Sequence, residues 1–382
     1  MSEGNCTFKT YKTVDEQIEY LKENKKIIVP EEYRYTLVEQ NYVSLINAYK
    51  EFFACGLKGP KQDHVYKNVT RIEQILEIFE LDKNIEQVLY ELIGDFERHL
   101  KNVLIQELCT KYTESSSPDE ENDVYCISYI QEIEAFYNEI IKYDSTDEVF
   151  NALENGLSIK ELNIPKFCKN IFMELRSGKY IYNRDLFVSR FSLIQKIYFY
   201  GGGKNIENPN KCESKNELIR HYIKTQKYVP MWVLPNALTF GELQILFTML
   251  DSYSQQHIIS KLLDYDSNRI RLNYINVFSS YLEIIRNLRN IVNHYEPIIP
   301  YFIGKITDKK IENSQIVKAL NVLLNNFYRN KDKLKTTLYP KPNLIDNGYN
   351  SRRIKIVTTI YNVLNARQSD SDKEESFNCL NC

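Results

Sequence analysis

Apolar residues recur along this chain mostly at intervals of three and four, the spacing of one face of an α-helix. The strongest run is Ile85, Val88, Leu89, Leu92, Ile93, Phe96, Leu100, Val103, Leu104 and Leu108, which predicts a long amphipathic helix over 84–112 at the centre of the core. Gly94 inside it weakens a helix by about 1 kcal/mol relative to Ala, so a close neighbour is expected there. Thr13 with Glu16, and Thr70 with Glu73, have capping-box spacing and predict helices over 14–25 and 70–79. Pro30 opens a segment running to Glu39, and 41–53 reads as a further helix. So do 149–200, 216–228, 238–263, 273–295 (ended by Pro297 and Pro300) and 312–330. Trp232, the single tryptophan, lies between two of these and is expected to anchor packing. The pattern predicts an all-α fold: one elaborated helical body over 1–365, then a polar tail over 366–382.

Composition agrees with a globular chain. Of 382 residues, 43% are hydrophobic and 26% charged, which excludes a largely disordered protein. Only 12 are glycine, against turn-rich β architecture. The net charge of −2 conceals a segregation. Residues 114–148 hold eleven acids and one base, either a solvated insertion or a surface that repels polyanions. Residues 329–355 hold eight bases and two acids, either an ordinary solvated surface or a path for phosphates. No run of 18 apolar residues predicts a membrane span, and the N-terminus lacks a secretory pattern. Eight dispersed cysteines then read as reduced thiols of a cytoplasmic protein. Cys379 and Cys382 form an isolated C-x-x-C, read as part of the tail.

Chemistry motifs are few. Gly201-Gly202-Gly203-Lys204 lacks the spacing of a phosphate-binding loop. The five histidines are far apart in sequence, so no local metal site is expected, and no G-x-S-x-G elbow occurs. One helix stands out. Its apolar stripe is Phe278, Tyr281, Leu282, Ile285, Leu288 and Val292, while Arg286, Asn290 and His294 recur on the opposite side. Arg289 falls at the margin of the stripe, where a charge needs a partner. The spacing alone fits two readings: a salt-bridged helix with an incidental histidine, or a polar site.

Arg289-Asn290-x-x-x-His294 resembles the R-N-x-x-x-H signature of HEPN-domain ribonucleases. Its context resembles the abortive-infection family of bacterial anti-phage proteins, of the AbiD/AbiF type. Thr13-x-x-Glu16-Gln17-Ile18 is similar to that family's first helix, and Asn41-Tyr42 to its following aromatic segment. Phe79-Glu80-Leu81-Asp82 leads into Phe96-Glu97-Arg98-His99-Leu100-Lys101, similar to its acid-arginine core helix. Pro230-Met231-Trp232 and Leu238-Thr239-Phe240-Gly241-Glu242-Leu243 resemble its tryptophan and S/T-F-G-x-L block. The pieces occur in family order across 12–330. Tyr295-Glu296-Pro297 departs from the second histidine and basic-aromatic continuation that the family often shows after the motif.

The resemblance implies an elaborated HEPN-type bundle and a metal-independent endoribonuclease without cofactor, acting in phage defence as a toxin. It admits restraint by a structured small RNA. The RNA 2′-hydroxyl would attack the adjacent phosphate, leaving a 2′,3′-cyclic phosphate and a 5′-hydroxyl. His294 would exchange the protons, Arg289 would stabilise the phosphorane, and Asn290 would orient His294 or a phosphate oxygen. Arg289 and His294 stand about 140° apart on an ideal helix. They converge through an irregular last turn or a second protomer, and one motif per chain implies a homodimer. Glu97 and Arg98 are supporting residues, with Glu97 paired either to Arg289 or to Lys101. Arg286, Arg352, Arg353 and Lys355 would grip RNA phosphates. Neither a membrane nor DNA is an expected partner. Two rivals stay open: a scaffold that holds structured RNA without cutting it, and a HEPN partner of a nucleotidyltransferase.

Overall fold

The structure, a computed structural model, describes residues 11–40, 42–58, 63–66, 69–113, 127–201, 216–226, 228–307 and 313–328. The chain divides into two compact units. Among the described residues, unit 1 takes those within 11–91 and 287–321, and unit 2 those within 92–286 and 322–328.

Unit 1 begins with α1 (Val14–Tyr20), started by the expected capping box. The Glu16 N–H donates to Thr13 Oγ1 at 3.4 Å, and the Thr13 N–H donates to Glu16 Oε2 at 2.7 Å. A π-helical turn, Leu21–Lys25, prolongs it and buries Leu21. Then follow α2 (Thr36–Glu39) and α3 (Ala48–Phe53). Strand β1 (Ile27–Ile28) pairs in parallel with β4 (Thr70–Arg71), and β2 (Ala54–Lys58) pairs antiparallel with β3 (Asp63–Tyr66). Helix α4 (Ile72–Thr113) contributes its residues up to Glu91. The two helices expected over 70–79 and 84–112 are therefore one. Between them, Glu80-Leu81-Asp82-Lys83 has no Gly or Pro to break the ladder. The Asp82 carboxylate is engaged elsewhere, as described below, and does not compete for local backbone.

Unit 2 takes α4 from Leu92 onward, with α5 (Tyr129–Ile140), α6 (Thr146–Glu154), α7 (Arg184–Gly201), α8 (Glu217–Gln226), α9 (Phe240–Met249) and α10 (Ser252–Leu263). Helix α11 (Leu272–Asn293) belongs to it up to Arg286. Phe136, Phe150, Phe172 and Phe187 are buried together, with the last two stacked at 4.6 Å. Of the acidic stretch, 114–126 lies outside the described residues. The part beyond it includes α5, which buries Tyr129, Ile133 and Phe136, while Glu132 accepts from the Tyr112 hydroxyl and the Lys166 N–H.

Four local expectations are corrected. The segment 149–200 is not all helix. Strands β5 (Met173–Arg176) and β6 (Lys179–Tyr182) form a hairpin whose Ser177-Gly178 turn has φ of 48° and 77°. A two-residue turn with both φ positive matches the natural strand twist, and Gly178 suits its second position. A Cβ there would also stand 2.9 Å from Asn273 Oδ1. The segment 238–263 is two helices, because Asp251 caps the second by accepting from the Ser254 N–H at 2.9 Å. Gly94 marks no close approach, since a Cβ at that position would meet nothing within 4 Å. Trp232 is turned outward at 36% exposure, while Met231 and Leu234 do the packing.

Beyond Asn287, the rest of α11 returns to unit 1 with α12 (Ile298–Thr307) and α13 (Asn313–Tyr328) up to Asn321. The chain is thus all-α, with only three two-stranded pairs among the described residues. No helix among those residues is long and apolar enough to cross a membrane.

Candidate functional site

The apolar stripe expected of α11 is buried: Phe278, Tyr281, Leu282, Ile285, Leu288 and Val292 are each at most 2% exposed. That burial fixes the rotation of the helix and leaves Asn290, Asn293 and His294 exposed, with Arg289 half-buried at the margin. The Asn293 amide, with its oxygen turned toward Arg289, accepts from Nε and Nη1 at 3.1 Å each. One helical turn after the arginine, a neutral side chain thus holds the guanidinium by two nitrogens.

Helix α11 ends at His294 through a defined closure. The Glu296 N–H donates to the Ile291 carbonyl at 3.0 Å, and the Tyr295 N–H to Val292 at 3.3 Å. These are the six-to-one and five-to-two bonds of a Schellman turn, with His294 as its cap residue. The His294 N–H is shared between the Asn290 and Ile291 carbonyls at 3.1 and 3.2 Å. Tyr295 occupies the left-handed position, φ 55°, where glycine is usual. A non-glycine residue there costs about 1 kcal/mol. Its ring lies 5.8 Å from Lys83 Nζ. Pro297 then prevents continuation of the helix.

A buried carboxylate holds the other side of this turn. Asp82 Oδ1 accepts from the N–H groups of Ile298 and Ile299 at 3.2 and 2.9 Å, capping α12. The Tyr49 hydroxyl donates to Asp82 Oδ2 at 2.7 Å. Burial pushes the Asp82 carboxyl up to about 7, against these hydrogen bonds and with help from nearby Glu86. Burial and the neighbouring Asp82 likewise push the Tyr49 phenol far above its ordinary range. The turn 294–297, which opens at His294, is therefore tethered at both ends.

Arg289, Asn290 and His294 thus share the last turns of one helix in unit 1. Arg286, 34% exposed at its side chain, is the last residue of unit 2 on the same helix and lies 3.8 Å from Glu283. Its Cδ stands 3.4 Å from where a Cβ on Gly241 would be. Glu97 and Arg98 are on the unit 2 part of α4, Glu97 half-buried and Arg98 exposed with its guanidinium on Asp95. Arg352, Arg353 and Lys355 lie outside the described residues, as do Gly202, Gly203 and Lys204, Cys379 and Cys382. Among the described residues, no group of three or more His, Cys, Asp or Glu is placed to hold a metal ion.

Sequence reasoning missed Asn293 and Asp82. Asn293 falls at one of the unspecified positions of the motif, and only its spacing from Arg289, one turn, pointed to it. Asp82 carried a clearer signal: an acid aligned with Ile78, Ile85 and Leu89 on the buried side of its helix.

The sequence model of the family described as Abi-like protein matches residues 35–299, well over half of the chain. That span contains Asp82 and the whole of the α11 motif. No curated protein and no solved structure matches.

Proposed function

The chain belongs to the Abi-like protein family, and from that premise we propose that it is a metal-independent endoribonuclease of abortive-infection phage defence, built on a HEPN-type bundle. The observation that carries the reading is the end of α11. An exposed histidine sits at a hydrogen-bonded helix cap, and an arginine five residues earlier is held by Asn293.

The chemistry follows from those side chains. His294 takes the proton from the RNA 2′-hydroxyl as that oxygen attacks the adjacent phosphorus, or gives a proton to the departing 5′-oxygen. Arg289 offers its fork of donors to the extra negative charge on the phosphorane. Asn290, exposed one turn before His294, contacts a phosphate oxygen. The bond from phosphorus to the 5′-oxygen breaks, leaving a 2′,3′-cyclic phosphate and a 5′-hydroxyl. Helix α11 is regular through Asn293, so no irregular turn swings Arg289 toward His294. That favours the other route: a homodimer in which two motifs make one composite site, His294 of one protomer working beside Arg289 of the other. Arg286, Arg352, Arg353 and Lys355 serve as phosphate contacts, and a structured small RNA is the restraining partner consistent with a toxin.

The test is cleavage of mixed RNA in EDTA by the purified full chain and by His294→Ala. Products with 5′-hydroxyl ends are expected from the first and none from the second. No product from the unaltered chain, with RNA retained equally by both, would overturn the enzyme in favour of a binding scaffold. Mass in solution tests the composite site, which a monomer in the presence of RNA would exclude.

A further inference from the structure

A second histidine has a better-built environment than the motif histidine. His257, on α10, directs Nδ1 to Glu107 Oε2 at 2.6 Å. The Glu107 side chain, from the unit 2 part of α4, is only 5% exposed, whereas that of His257 is 36% exposed. Burying a carboxylate costs several kcal/mol unless a partner meets it. A carboxylate at this distance accepts the Nδ1 proton, which fixes the ring plane and leaves Nε2 as the imidazole's available polar atom.

One turn before His257, the Tyr253 ring is 73% exposed and lies 6.3 Å away at an interplanar angle of 28°. Lys261 follows one turn after, so α10 carries an aromatic, an imidazole and an ammonium in one row. Beside Glu107 on α4, Lys111 pairs with Asp251 at 2.5 Å, so that pair adds no net charge next to the row. Neither Glu107 nor His257 has a part in the chemistry assigned to α11.

We propose that Tyr253 and His257 form a stacking contact for an unpaired RNA base, with Glu107 as the residue that positions the imidazole. A nucleobase offers a flat π-face and a hydrogen-bonding edge. The row offers a flat exposed ring and one polar ring whose orientation is fixed, which is the pairing used for single-stranded nucleic acid. A duplex keeps its bases stacked on each other and cannot use this contact. The inference rests on the reading of the protein as one that acts on RNA, and it assigns base recognition to residues other than those of the cleavage motif.

The experiment measures binding of a labelled single-stranded RNA 20-mer by fluorescence anisotropy, with the full chain carrying His294→Ala so that the probe stays intact. Adding Tyr253→Ala is expected to weaken binding about ten-fold, a typical loss for one stacked base. Tyr253→Trp should restore it. Because stacking releases no counterions, the fold loss should be the same at low and high salt. Tyr253 is exposed, so its replacement is expected to leave the fold intact, which circular dichroism of the variant checks. His257→Ala is expected to weaken binding in the same direction, and a duplex should compete poorly.

Unchanged affinity in Tyr253→Ala, a loss confined to low salt, or no binding of single strands at all would overturn the contact. Cleavage by the chain with His294 intact is scored separately. RNA binding that depends on Tyr253 without any cleavage defeats the nuclease reading alone, and cleavage with Tyr253-independent binding defeats this inference alone.

Discussion

Asp82 and Glu107 are two buried acids on the same helix, one in each unit, and they do opposite things. Asp82 faces inward to other buried groups: two backbone N–H groups at the start of α12 and the Tyr49 hydroxyl. Its work is to hold a turn. Glu107 faces a half-exposed imidazole, so its bond fixes a group that reaches solvent. A buried carboxylate satisfied by backbone is architecture, whereas one satisfied by a surface histidine orients something that can meet a ligand. The distinction lies in the partner's exposure, not in the acid's own burial.

Removing each acid should therefore have unequal consequences. Asp82→Ala leaves two N–H groups and a buried phenol without an acceptor, and is expected to lower stability by about 2–4 kcal/mol in chemical denaturation. Under the same conditions Glu107→Gln is expected to stay within about 1 kcal/mol of the unaltered chain, because the amide oxygen still accepts from Nδ1 and His257 reaches water. Equal losses would break the comparison.

A second expectation concerns pH. The Asp82 carboxyl is raised in the folded protein from 3.8 to about 7, so the folded state binds its proton more tightly than the unfolded chain does. Its contribution to stability is full below pH 4 and is lost as pH rises through about 7. Asp82→Asn keeps the acceptor oxygen for α12 but cannot titrate. Denaturation midpoints between pH 4 and 8 should then fall less steeply in the variant than in the unaltered chain. An unchanged slope would show that Asp82 is ionised throughout.

The smallest effect belongs to the stretch of α4 between these acids. Gly94→Ala is expected to raise stability by up to about 1 kcal/mol, since the added methyl meets nothing and the helix gains in propensity. A loss would mean that a packed neighbour exists there.

Much of the fold was legible in local chemistry. The Thr13–Glu16 box started α1, and the buried stripe of α11 matched its three-and-four spacing residue for residue. The β5–β6 hairpin was less so, because alternation over only four residues on each side of Ser177-Gly178 is easily hidden among helical neighbours. For the site, the sequence placed Arg289, Asn290 and His294 on one helix but did not show what holds them. Asn293 lay at a position the motif leaves unspecified, and the chain of Asp82, Ile298 and Ile299 joins residues more than two hundred positions apart.

By itself, then, the sequence determined most of the helices, the buried face of α11 and the motif at its end, because periodicity and caps depend on neighbours within a few residues. Only the tertiary structure decided which polar residues became partners: Asp82 with the start of α12, and Glu107 with His257. A polar group on a buried face must find some partner, yet its own surroundings in sequence do not say which distant segment supplies it. Packing makes that choice, and with it the difference between an acid that holds the fold and one that presents a histidine.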